Sequence, residues 1–310
     1  MKASLKQLRY FVAIADCGKV ADAAKILHVS QPALSAALAQ LENIWDTQLF
    51  IRHKAQGVSL TTSGELLLQH TRHLLQQAHS LEDYARDLNE QVVGEIKIGC
   101  FSTLGPLYIP QLLQQAQTDY PKLNIQVLEG DLDKLESHLL SGQLELALSY
   151  GLDQHARIHY EPLADCSPYV LLPESHPLCE HDSLSLKQLC EEPFILLDLP
   201  HSGDYFLSLF QEIGHQPDIA YRSRNFEMIR CMVASGRGFS LLNQRPRTDQ
   251  AYNGGKLRMI PLEDDQTRPL EIVIARHVDV IPSMRAKLVT DLIHKIITTA
   301  EDDLPNITTK

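Results

Sequence analysis

The sequence has little that could staple a chain, span a membrane or catalyse a reaction by a familiar route. Its 310 residues include one tryptophan, 6% aromatics and six cysteines. Cys17, Cys100, Cys166, Cys179, Cys190 and Cys231 are scattered with no C-x-x-C spacing, which argues against a structural metal site and against a disulfide framework. No apolar run approaches about 18 residues, and the first residues mix charged and apolar side chains instead of forming a hydrophobic leader. A cytoplasmic chain without a membrane partner is expected. With 44% hydrophobic and 22% charged residues, and only 15 glycines and 16 prolines, collagen-like and disordered classes are excluded. The length suits two or three domains. No G-x-S-x-G elbow occurs. His201, Ser202 and Asp204 crowd one helix start, which does not make a nucleophile, base and orienter, and Gly236-Arg237-Gly238 lacks a phosphate-loop context. No enzyme activity and no cofactor are expected.

Basic charge is also scarce, with 28 Lys and Arg against 39 Asp and Glu, a formal net of −11. The average conceals an asymmetry. Residues 1–62 hold seven basic and four acidic side chains, a net of +3, whereas 63–90 carry −3 and 91–310 carry −11. Opposite signs at the two ends point to different partners.

In the first segment, Leu5, Leu8, Phe11, Val12 and Ala15 recur at helical steps behind an N-cap at Ser4, and Gly18 suits the stop. A short helix through Val20, Ala23, Ala24 and Leu27 follows. Ser30 then caps a third helix with Pro32 in its first turn and Leu34, Leu38 and Leu41 on one face. Helix, short turn, helix is the arrangement whose second helix enters the major groove of double-stranded DNA. Its outward positions are Ser30, Gln31, Ala33, Ser35, Ala36 and Ala37, and Pro32 in its first turn is counted with the DNA-contacting residues. Gln31 can pair bidentately with adenine, Ser35 can donate or accept, and the alanines can touch a thymine methyl. Periodicity alone is equally satisfied by an ordinary packed three-helix domain.

The motif Ala23-Ala24-x-x-Leu27-x-Val29-Ser30-Gln31-Pro32-Ala33-Leu34-Ser35, followed by Leu41-Glu42, Leu49-Phe50-x-Arg52 and Leu60-Thr61-x-Ser63-Gly64, resembles the N-terminal winged helix-turn-helix of the LysR-type transcriptional regulators. The resemblance implies that helix 31–45 reads the groove while a wing at Arg52, His53 and Lys54 meets phosphates. Departures are Lys19 after the glycine, Trp45, Asp46 at a usual glycine, and Ala36 where a basic residue is frequent. Asp46 tolerates the left-handed conformation a helix stop needs.

From 63 the period changes. Leu67, Leu74, Leu81 and Leu88 recur every seven residues, with Thr71, Ala78 and Ala85 between them. A helix over 63–91 would be about 42 Å long. It could lie on its own domain, but strict heptad spacing suits a seam against a second copy, and the matching helix dimerises the family. Leu67, Leu74, Ala78, Leu81, Ala85 and Leu88 are the predicted dimer contacts, with a tetramer built from two dimers implied by the resemblance.

Beyond Gly94, strands and helices alternate: Ile96–Ile98, a helix over Leu107–Ala116, Leu123–Leu128, a helix over Leu132–Leu140, and Leu144–Leu148. A second set has strands near 168–173, 193–199, 218–223 and 239–243 and helices near 203–215 and 225–236. A strand at Leu270–Ile274 and a helix over 282–298 return late. The predicted class is therefore α plus α/β. The resemblance implies a winged helix-turn-helix over 1–62, a coiled-coil linker helix over 63–91, and a two-lobe, periplasmic-binding-protein-like (type 2) effector domain over 92–300. Lobe I covers about 92–164 and 268–300, lobe II about 165–267, and 301–310 form a polar tail. Parallel, helix-covered sheets are expected, with crossings near 163–167 and 266–270.

In such a domain a small-molecule effector lies between the lobes, at strand ends and helix starts. Phe101-Ser102-Thr103, Asp131, His201-Ser202, and Asn225-Phe226 are the predicted contacts. Asp131 either caps its own helix or favours an amine-bearing effector. As an alternative, Cys179 and Cys190 could make a thiol-based redox sensor. The resemblance further implies an interrupted-palindrome operator and RNA polymerase as a partner.

Overall fold

The computed structural model describes residues 2–53, 57–87, 92–152, 154–263, 268–300 and 307–309. Among these, no helix is long and apolar enough to cross a membrane. The chain divides into two compact units: Met1–Gln91 with His138–Gln143 and Asp279–Met284, and the remainder.

The first unit begins with α1 (Leu5–Cys17), α2 (Val20–Ile26) and α3 (Gln31–Trp45). Ser4 accepts from the Gln7 amide in a capping box that closes reciprocally through the Gln7 side chain, and Gly18 ends α1 at φ 64°. The α2–α3 turn uses a non-glycine left-handed residue, His28 at φ 53°, and the Val29 amide donates back to the Ala24 carbonyl at 3.0 Å. Ser30 Oγ accepts from the Ala33 amide, and Asp46 closes α3 at φ 49° as its side chain permits. Leu8, Phe11, Ile14, Leu34, Leu38 and Leu41 form the core; truncating one such leucine to alanine costs about 2–5 kcal/mol. Trp45 is half-buried and packs edge-on against Phe11 with centroids 6.2 Å apart.

Two short antiparallel strands, β1 (Phe50–His53) and β2 (Gly57–Leu60), make the wing. The start of α4 (Thr62–Asp87) is fixed by Thr61, whose hydroxyl donates to the Gln48 carbonyl at 2.7 Å and accepts from the Gly64 amide at 2.9 Å. A Cβ at Gly64 would stand 2.2 Å from the Leu49 carbonyl oxygen, which is why the motif needs glycine there. The 26 residues of α4 span about 39 Å.

The second unit contains β3 (Gly94–Phe101), α5 (Gly105–Asp119), β4 (Leu123–Gly130), α6 (Leu132–Leu140), β5 (Leu146–Tyr150), β6 (Ile158–Cys166) and β7 (Tyr169–Pro173). It continues with β8 (Phe194–Leu197), α7 (Ser202–Glu212), β9 (Ile219–Ser223), α8 (Phe226–Ala234), β10 (Ser240–Leu242), β11 (Leu257–Pro261), β12 (Leu270–His277), α9 (Met284–Ala300) and β13 (Ile307–Thr309). Lobe I is built on a sheet of order β13-β6-β12-β5-β3-β4, and lobe II on β10-β7-β11 and the pair β8-β9.

The sheets are less parallel than expected. In lobe I only β5, β3 and β4 run parallel, because β6 leaves for lobe II and β12 returns from it, so both lie antiparallel to their neighbours. Neither β6 nor β11 was anticipated. Pro162 breaks the strand signal of β6; the register against β12 slips there, pairing Ala164 with Ile272 and Pro162 with Val273, so the proline sits at a bulge. The tail expected to be merely polar contributes β13, which pairs with the end of β6.

A candidate DNA-reading face and an inter-lobe cleft

The N-terminal end of α3 is exposed. Ser30, Gln31, Pro32, Ala33 and Ala36 are exposed and Ser35 is half-buried, while the opposite face carries the buried leucines. The Ser30 hydroxyl is already engaged as a cap. That leaves Gln31 as the long polar side chain at the tip. On β1, Arg52 and His53 are exposed, with His53 Nε2 2.8 Å from Ser59 Oγ. Lys54 lies outside the described residues.

A contact not anticipated from the sequence ties helix to wing. Glu42 on α3 accepts the Leu49 amide at 2.8 Å and the Phe50 amide at 3.3 Å through one carboxylate oxygen. α3 and the first wing strand are thereby held in a fixed relation. The Leu41-Glu42 pair was visible in the sequence, but the partner amides seven and eight residues on were not.

On α4 the heptad reading divides. Leu67 packs with Leu68 and Leu75 against the helix-turn-helix core, and Thr71 is buried. Leu74 and Leu81 are 38% and 71% exposed, and Ala78 is half-buried. The seam is thus committed to its own unit at Leu67 and exposed further along. Ala85 and Leu88 lie outside the residues whose side chains are described.

Between the lobes is a narrow cleft. Lobe I supplies Phe101, Thr103, Tyr150 and Leu270; lobe II supplies Leu197, Ser202, Phe206, Phe226 and Leu242; Asn243 and Gln244 follow β10. Four of the predicted contacts, Phe101, Thr103, Ser202 and Phe226, line it. The others have different places. Ser102 donates its amide to the Gly130 carbonyl at 3.0 Å. Asp131 accepts the Lys134 amide at 3.1 Å as the cap of α6, and Asn225 accepts the Met228 amide at 2.9 Å as the cap of α8. His201, at φ 62°, places Nε2 3.0 Å from Asp133 Oδ1, so a lobe II loop meets the first turn of α6 in lobe I. Asp131 thus caps its own helix and is not among the residues that line the cleft.

Asn243 and Gln244 were missed, although polar residues directly after the Phe239–Leu242 run obey the same strand-end rule that found Thr103. Asn243 Nδ2 donates to the Cys166 carbonyl at 2.8 Å while Cys166 Sγ lies 3.2 Å from the Asn243 carbonyl, bracing one inter-lobe crossing. Gln244 Nε2 donates to the Tyr150 hydroxyl at 2.7 Å. Burial holds the Tyr150 hydroxyl well above its ordinary range, so it stays protonated at any physiological pH. The six cysteines are not in disulfides. Burial, with a smaller contribution from Glu129, pushes Cys100 up to about 12, and burial alone does the same to Cys166.

Residues 5–65 match the model of the bacterial regulatory helix-turn-helix protein, lysR family, and 89–295 match that of the LysR substrate binding domain. The HTH-type transcriptional regulator YvbU of Bacillus subtilis is 30% identical over 242 residues, covering 78% of this chain and 82% of that protein. The crystal structure of HinK, a LysR family transcriptional regulator from Pseudomonas aeruginosa, is 38% identical, covers 94% of this chain and 98% of its own, and superposes with a TM-score of 0.63. A full-length OxyR variant from the same organism is 26% identical, with 95% and 97% covered and a TM-score of 0.77. The chain therefore belongs to the LysR-type transcriptional regulators, with an N-terminal DNA-binding helix-turn-helix and a C-terminal effector-binding domain.

Proposed function

We propose that this regulator reads an interrupted palindrome with two copies of α3 and that a small molecule in the inter-lobe cleft sets its occupancy or its activation of the promoter. The observation that carries this reading is the pairing, in one chain, of an exposed Gln31-led helix tip with a partly apolar cleft holding buried polar side chains. Gln31, Ala33, Ser35 and Ala36 would meet bases, and Ser30, Pro32, Arg52, His53 and Lys54 the backbone. Exposed Leu74 and Leu81 would join the two copies. A ligand preferring the closed lobes shifts their population and, through the assembled oligomer, the spacing of the paired helices. Gln31→Ala should weaken operator binding by about 1–3 kcal/mol without altering thermal stability. An unchanged affinity in a gel-shift titration would remove α3 from base reading.

A thiol-sensing alternative is raised by the likeness to OxyR of Escherichia coli, 28% identical over 77% of this chain and belonging to a group that includes hydrogen peroxide-inducible genes activators. The chemistry of Cys179 and Cys190 argues against it. Burial raises the Cys179 thiol above its ordinary value, and its Sγ lies 3.2 Å from the Pro173 carbonyl; Cys190 Sγ likewise faces the Leu186 carbonyl. Peroxide reacts with thiolates. A peroxide response lost in Cys179→Ser would restore this alternative.

A further inference from the structure

The cleft has room for about one water molecule, so an effector reaches Thr103, Ser202 and Phe206 only when the lobes part. Whatever ties the lobes at that rim therefore governs entry. Two ties run from the beginning of α7. Tyr205 donates its hydroxyl to the Arg268 carbonyl at 2.8 Å, on the segment that returns the chain to lobe I. One turn earlier, beside the cleft-lining Ser202, His201 Nε2 lies 3.0 Å from Asp133 Oδ1 on α6. The first tie sits on the crossing itself and can survive a parting of the lobes. The second reaches from lobe to lobe and must break.

His201 holds this position at a cost. Its φ of 62° with ψ of −32° lies outside the left-handed helical well, a strained backbone for a residue with a side chain. The loop is fixed around it by the Ser202 amide, which donates to the Pro200 carbonyl at 2.8 Å, and by the Gly203 amide, which donates to the Leu199 carbonyl at 3.0 Å. Both partners in the cross-lobe contact remain open to water, the imidazole 35% and the carboxylate 67% exposed, so the contact itself stabilises little. A weak bond set against backbone strain leaves the closed arrangement only slightly favoured, and a ligand can tip only an equilibrium that is close to balance.

Resting on the effector reading above, we infer that the His201–Asp133 contact is the latch of the inter-lobe cleft, closing the rim beside Ser202 while the strain at His201 keeps the lobes ready to part. Hydrogen exchange of the full chain, followed by mass spectrometry, tests this without a ligand. In His201→Ala and in Asp133→Ala the amides of 101–104 and 202–206 should exchange about three- to five-fold faster than in the wild type. The double variant should go no further, because each substitution removes the same contact. His201→Gly loses the contact but also relieves the strain, so its cleft should open less than that of His201→Ala. Unchanged exchange in the single variants, additive effects in the double one, or a glycine variant as open as the alanine variant overturns the inference. Equal acceleration in the sheet cores at 94–99 and 170–172 overturns it too, since that would be general unfolding. Operator footprinting of His201→Ala separates the two claims: a cleft that opens as expected with an unchanged footprint counts against the cleft as the control site, not against the latch.

Discussion

Glu42 matters more to the DNA-reading unit than a half-buried acid on a short helix would suggest. Its carboxylate satisfies two amides at the entry to β1, so Glu42→Ala leaves both without their acceptor. Chemical denaturation should show a loss of about 1–3 kcal/mol, most of it recovered in Glu42→Gln, which keeps an acceptor oxygen. Equal losses in both variants would show that charge, not acceptance, is what α3 requires. The thiols make a second case at this scale. Cys100 and Cys166 have an ordinary value of 9.0 and are held up to about 12 by burial. Folding thus favours their protonated forms. The stability they contribute is complete below pH 9 and is lost as pH rises towards 12. Iodoacetamide at pH 8 should leave both unmodified in the native chain and label them after unfolding; rapid native labelling would contradict the buried placement.

Among elements, α4 is where sequence and structure inform each other most. The seven-residue spacing of leucines was visible, but which of them faces the chain's own core was not, because a heptad seam and an amphipathic stripe share their first turns. The structure assigns Leu67 inward and leaves Leu74 and Leu81 exposed. Leu81→Asp should therefore lower the mass seen in sedimentation without reducing helix-turn-helix stability, and an unchanged mass would place the dimer contact elsewhere. The helices were legible because caps at Ser4, Ser30 and Gly18 are local signals. β6 and β11 were not, since Pro162 at a bulge interrupts one pattern and the other takes its pairing from β7, far earlier in the chain. In the cleft, Phe101, Thr103, Ser202 and Phe226 were reachable from strand ends and helix starts. Tyr150 and Leu270 were not singled out, because their convergence depends on two crossings that only the folded chain brings together.

For the molecule as a whole, the charge of −11 is a property of the linker and effector regions, while residues 1–62 carry +3. So slight a basic excess gives few phosphate contacts, and each copy of α3 offers few base-reading side chains. Operator affinity should then come from presenting two helices together, with a shallow dependence on salt. Footprinting the full chain on genomic fragments at physiological salt tests this directly. The account predicts two protected half-sites related by a two-fold axis and separated by whole turns of about 10 bp, lost together in Leu81→Asp and in Gln31→Ala. A single unsymmetrical block of protection, or undiminished protection by Leu81→Asp, would contradict it.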